Sequence, residues 1–236
     1  THRQHRSLRR RGAEELRGMS AKDEILGRVR RGVGKDDFVR RRAAAVASLA
    51  TMERGPQPTM NADLVGRFRA KAEYLSSTVA GVASLAEAPA AVAAYLAANH
   101  LAAEAVATAD VGGLDWVGCG LKVEARSAVD ADKTGISGCF SAIAETGTLM
   151  LLSGPQTPAT VSLLPETHIA LVDISRIVPT MEDAFALLRA EHGSLPRAVN
   201  FISGPSRTGD IEQTIVLGAH GPCRVHLILI GSDSSP

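Results

Sequence analysis

Aromatic residues are nearly absent: five Phe, two Tyr and one Trp in 236 residues. So few rings leave little on which bases could stack, which argues against nucleic acid as a partner. Cysteine is as sparse. Cys119, Cys139 and Cys223 are odd in number, far apart and form no CxxC pair. Neither a disulfide framework nor an iron–sulfur cluster is therefore encoded, and the chain reads as reduced and cytoplasmic. No run approaches the ~18 to 20 apolar residues of a membrane span. Lysine is scarce too, 5 against 21 arginines, while alanine is abundant at 37. A core must then be built from Val, Leu, Ile and Ala, which suits helices packed on a buried sheet. The 45% hydrophobic and 22% charged content excludes a disordered chain, and the length fits one domain with an appendage.

Charge is unevenly spread. Residues 1–42 carry a net +8 and residues 43–236 a net −7. A basic arm on an acidic body would suggest nucleic acid or anionic lipid. Residues 1–18, however, hold no apolar stretch that could serve as a signal-peptide core. Met19 is read as the start of the native chain and residues 1–18 as a non-native or disordered extension. From Met19 onward the net charge is −3, and the nucleic-acid reading loses its support.

Ser20 and Asp23 have capping-box spacing, so a helix is expected over 20–32, stopped by Gly32 and Gly34. A second is expected over 36–52, with Arg40, Arg41 and Arg42 on its solvated face. Gly55-Pro-Gln-Pro58 closes this helical arm, 19–58, and a body, 59–236, follows. The body opens with a helix over 60–77. Strand-like runs then appear at 77–83, 103–108, 122–126, 148–153, 168–174, 198–203 and 225–230. Helical stretches lie at 87–99, 158–164, 181–191 and 207–217. Short apolar runs alternating with helices predict a doubly wound α/β fold, a largely parallel sheet with helices on both faces.

Three polar, Gly-rich stretches stand beside apolar runs. In the first, Glu145, Thr146, Gly147 and Thr148 place a carboxylate and two hydroxyls at a turn. They are either binding groups at a strand end or a hairpin for which Gly147 supplies the backbone. In the second, Ser203, Gly204, Ser206, Arg207 and Thr208 precede the helix expected over 207–217. Its free amides and the guanidinium would suit a small anionic ligand; the alternative is a simple cap, with Arg207 paired to Asp210 or Glu212. The third holds His220 in Gly218-Ala-His-Gly-Pro222. His220, Cys223 and His226 have a ligand-like spacing, but the Gly-Pro turn throws them apart, and no metal site is assigned. His168 is a further polar group at a strand start, or a satisfied structural histidine. No Walker loop or dinucleotide fingerprint is present.

In this order, AIAETGTLMLLSG (142–154), SLLPETH (162–168) and SGPSRTGDIEQTIVLGAHGP (203–222) resemble the LUD-domain proteins, specifically the lactate-utilization protein C group. SAKDEILGRVRRGVG (20–34) also looks like a family N-terminus. Gly209 stands where alanine is common in that group, and Ala219 where valine is. The resemblance implies a fold like the ribose-5-phosphate isomerase, glucosamine-6-phosphate deaminase and CoA-transferase group. It also implies a role in oxidising L-lactate to pyruvate, beside iron–sulfur partner proteins; the chain itself is read as an accessory or ligand-binding subunit of such an NAD-independent system, with the clusters in its partners. No cofactor is expected on this chain, which shows no flavin, nicotinamide or cluster motif.

The competing expectation is a self-sufficient enzyme, isomerase or CoA-transferase-like, on a small phosphorylated or carboxylated metabolite. It requires Glu145, Arg207 and His220 in one cleft as candidate catalytic and binding groups. The two arm helices each have one apolar stripe and little core of their own, so they must pack on the body, a second copy or a partner. Deleting residues 19–54 should leave a folded body and weaken association. An unchanged size-exclusion profile together with an unchanged pull-down of iron–sulfur partners would contradict this.

Overall fold

Ser20 and Asp23 exchange backbone and side-chain hydrogen bonds and so start the first helix, α1 (Ala21–Val33). A Glu24–Arg28 pair at 2.6 Å follows one turn on. Helix α2 (Phe38–Thr51) opens with Asp37 paired to Arg40 and buries none of its residues. In the computed structural model, residues 20–33, 37–51, 55–60, 62–211 and 214–231 are described. Residues 1–18, read as an extension, lie outside them. The chain divides between Gln57 and Pro58 into two units.

In the second unit, Asp63 caps α3 (Leu64–Tyr74) by accepting from the Gly66 amide at 2.7 Å. Then come β1 (Thr78–Val82), α4 (Ala88–Ala98), β2 (Glu104–Ala107), the single turn α5 (Ala109–Gly112), β3 (Lys122–Ala125) and β4 (Thr134–Gly138). β5 (Ser141–Ile143), β6 (Thr148–Leu152), the single turn α6 (Thr160–Leu163), β7 (Thr167–Asp173) and β8 (Ile177–Val178) follow. The chain ends through α7 (Met181–Glu191), β9 (Val199–Ile202), β10 (Arg207–Ile211), β11 (Thr214–Leu217) and β12 (Arg224–Ile230).

Six strands form one wholly parallel sheet in the order β1-β12-β7-β4-β2-β3. β7 buries six of its seven residues, as a strand covered on both faces must. Alternation divides its side chains. Ala170 and Val172 join Leu227 and Leu229 of β12 in a core under Phe68 and Ala72 of α3. Ile169 and Leu171 join Ile228 in a second core under Val92 and Leu96 of α4. The α/β class, with helices on both faces of a largely parallel sheet, is thus as expected. Among the described residues no helix is long and apolar enough to cross a membrane.

Two features differ from expectation. The runs at 148–153 and 198–203 do not join the parallel sheet. They are β6 and β9 of a second sheet, β8-β5-β6-β9, in which β6 is antiparallel to both neighbours. Only four residues separate β5 from β6, too few for the crossover that a parallel pair requires. The helix expected over 207–217 is instead the antiparallel hairpin β10–β11. Thr208, Ile211, Thr214, Ile215 and Val216 are β-branched, and Gly209 further weakens a helix. Strands β4, β5 and β8 had no apolar run long enough to announce them.

His168 and His226 lie on β7 and β12, in adjacent registers and hence on opposite faces. His168 is wholly buried and His226 nearly so, its ring stacked on Tyr95 at 3.9 Å. Burial pushes both imidazoles down to about 4. In the unfolded chain each takes its proton near pH 6.5, so the unfolded state binds more protons between the two values. Stability should therefore be complete above pH 6.5 and decline as pH falls toward 4, by about 3 kcal/mol for His168. Urea melts at successive pH values measure this. A flat profile from pH 7 to 4.5 would contradict it.

Candidate functional site

The first and second polar stretches meet on the last turn of α3. That helix ends at Leu75, and Ser76 takes a left-handed conformation, φ 70°, with its amide donating to the Glu73 carbonyl. Gly147, φ 67°, lies so close to α3 that a Cβ there would sit 2.5 Å from the Ala72 nitrogen. Gly204, φ 80°, lies against the helix end, where a Cβ would sit 2.3 Å from the Leu75 oxygen. Each glycine is thus required twice, for its backbone angle and for its contact. The 144–147 turn is fixed from its other side by amide bonds from Ala144 to Val178 and from Glu145 to Pro179.

The β6–β9 pairing, with Leu149 opposite Ile202, continues to Thr148 and Ser203, and with both loops seated there three hydroxyls join. Thr146 Oγ1 donates to Thr148 Oγ1 at 2.8 Å, and Thr148 Oγ1 lies 2.7 Å from Ser203 Oγ. Either hydroxyl of the Thr148–Ser203 pair can be the donor, and since their contact uses one of their two protons, the other is left over. The chain of hydroxyls lines an open cleft of roughly 440 Å³, bordered by Lys71, Glu145 and Phe201. Neither the half-buried Glu145 carboxylate nor the Lys71 ammonium has a side-chain hydrogen bond or ion-pair partner among the described residues. Both are available to a ligand.

Arg207 stands beside this cleft, where Nη2 donates to Ser76 Oγ. The helix N-terminus expected to present the amides of Ser206 to Thr208 does not exist. Ser206 donates its amide to the Pro222 carbonyl, and Thr208 is paired with Val216 across the hairpin. An anion site built on helix amides is therefore withdrawn. Glu212 and the side chain of Asp210 lie outside the described residues.

His220 lies in a loop tied to Ser206 by the Gly218 amide and the Pro222 carbonyl. It is exposed in a hollow with Glu166 and Cys223, beside the N-terminal ends of β7 and β12. Glu145 lines the cleft on α3, whereas His220 lines this separate hollow. Among those residues no group of three or more His, Cys, Asp or Glu could hold a metal. His226 points instead to Thr78, with Nδ1 2.8 Å from Oγ1. Cys139 is a neutral thiol, pushed up to about 12 by burial and donating to the Ser141 carbonyl at 3.0 Å.

His168 touches a site that the sequence did not reveal. Its Nε2 lies 2.9 Å from Ser137 Oγ, and Ser137 lines a cavity with Thr108 and Asp110 at the C-terminal ends of β2 and β4. Thr108-Ala-Asp110 follows a strand-like run and could have signalled it; Ser137 could not, because β4 was not expected. Gly147→Ala should destabilise the protein by about 2 kcal/mol or more, since it meets both a left-handed backbone and the α3 backbone. Thermal unfolding of the variant checks this, and a loss under about 0.5 kcal/mol would show that the loop is not seated as described.

Comparison with known proteins places these features. The LUD domain matches residues 65–230. Lactate utilization protein C of Anoxybacillus flavithermus is 43% identical over 88 residues, covering 37% of this chain and 39% of that protein. Its namesake in Bacillus subtilis is 41% identical over 105 residues, covering 42% of this chain and 44% of that protein. The matches thus span less than half the length of these relatives. A DUF162 family protein of Deinococcus radiodurans, solved by crystallography, superposes with a TM-score of 0.55 and 26% identity, covering 74% of this chain and 100% of that one. With most of its second unit matched, the chain belongs to the LUD domain family.

Proposed function

We propose that this chain serves lactate utilization as a ligand-binding subunit without a redox centre of its own. The names of its relatives support the setting. In this reading the two electrons leaving lactate pass to clusters in iron–sulfur partner proteins in the cytoplasm, and the arm helices α1 and α2 contact a partner or a second copy.

One observation carries the ligand site: the Thr146–Thr148–Ser203 hydroxyl chain runs along a cleft that also presents Lys71 and Glu145. These groups complement a small hydroxy acid. The ammonium takes the carboxylate, the proton left over by the Thr148–Ser203 pair adds a second bond, and the Glu145 carboxylate accepts from the ligand hydroxyl. The self-sufficient enzyme reading is less favoured, because Glu145 and His220 line different hollows.

Calorimetric titration with L-lactate, pyruvate, phosphate and coenzyme A tests the proposal. L-Lactate should bind, and Lys71→Ala should weaken it about tenfold or more, as loss of a charge-assisted hydrogen bond does. Arg207→Ala, whose guanidinium bonds Ser76, should weaken it less. No lactate binding to the unaltered protein, or equal binding to Lys71→Ala, would overturn the site.

A further inference from the structure

The cavity beside His168, about 250 Å³, opens where the direction of strand addition in the parallel sheet reverses. From β2 the chain adds β3 on one side; from β4 the next parallel strand, β7, is added on the other. Diverging connections leave a crevice at the C-terminal strand ends, the usual ligand position in open parallel sheets.

Two hydroxyls at its base have protons to give. Thr108 Oγ1 accepts from the Gly138 amide at 3.3 Å, and its own proton meets no acceptor among the described residues. Ser137 faces His168, which is wholly buried and has no partner for Nδ1. An orphaned buried N–H is costlier than a bare lone pair, so the His168 proton belongs on Nε2. Ser137 then accepts from His168, and its own proton is free for the cavity.

At the exposed edge stands Asp110, whose carboxylate lies over Gly138, close enough that a Cβ there would be 2.1 Å from Oδ2. It has no side-chain hydrogen bond or ion pair among the described residues. No lysine or arginine lines the cavity. The nearby Arg176 is committed to Glu191 through bonds of 2.6 and 2.8 Å, and the remaining base, His192, sits edge-on to Phe140. An anionic ligand would meet Asp110 with no fixed cation to offset it.

We propose that this cavity is a second binding site, for a small non-anionic molecule that accepts hydrogen bonds from Ser137 and Thr108 and donates a hydroxyl or ammonium group to Asp110. It is distinct from the hydroxy-acid cleft on α3 and of opposite charge preference.

Alaninol, propylene glycol and L-lactate share a three-carbon skeleton and differ in charge, so they make suitable probes. Each is titrated while the backbone amide signals of Asp110, Gly138 and Asn200 are followed by NMR. Alaninol and propylene glycol should shift these signals saturably, and L-lactate should not. Asp110→Asn, at an exposed position, should weaken alaninol about tenfold or more and propylene glycol much less. The proposal is overturned if neither non-anionic probe shifts these amides, if L-lactate does, or if Asp110→Asn leaves alaninol binding unchanged.

Discussion

The close approach of two loops to the last turn of one helix governs the rest of the site. Gly147 and Gly204 each bring backbone to within contact of α3, where any side chain would collide with the helix backbone. The antiparallel β6–β9 pairing, with Leu149 opposite Ile202, brings the next residues, Thr148 and Ser203, 55 apart in sequence, to 2.7 Å, and the glycine contacts seat that end of the ladder on α3. The helix is itself fixed by Phe68 and Ala72 against β7 and β12. Core packing, helix end and glycine contacts seat the two loops on α3, the β6–β9 ladder aligns their hydroxyls, and the cleft depends on both.

The two cavities divide the chemistry between them. The cleft on α3 pairs an ammonium with a carboxylate and suits a ligand carrying both a negative charge and a hydroxyl. The cavity at the ends of β2 and β4 presents hydroxyl protons within and a lone carboxylate at its edge. An anionic molecule suited to Lys71 is disfavoured beside Asp110, where no lysine or arginine lines the cavity.

The parallel sheet was legible because β7 and β12 are nearly continuous apolar runs, and α7 because Thr180 and Asp183 cap it and its pattern is helical. The hairpin at 207–217 was misread because capping chemistry at Ser206 and Thr208 was given more weight than the β-branched residues after it. The first polar stretch was legible as a turn, but its meeting with Ser203 across 55 residues needed the antiparallel β6–β9 pairing, which the sequence did not announce. Ser137 and Asp110 were invisible for a different reason: β4 reads Thr-Gly-Ile-Ser-Gly, a segment with too little apolar content to be recognised as a buried strand. A site formed between strand ends cannot be seen until the strands are.

The most direct test of the central claim is a crystal structure of the protein grown with L-lactate. The account requires lactate density beside the Thr146–Thr148–Ser203 hydroxyls, with its carboxylate toward Lys71. Lactate in the Asp110 cavity, with the α3 cleft holding only water, would contradict it.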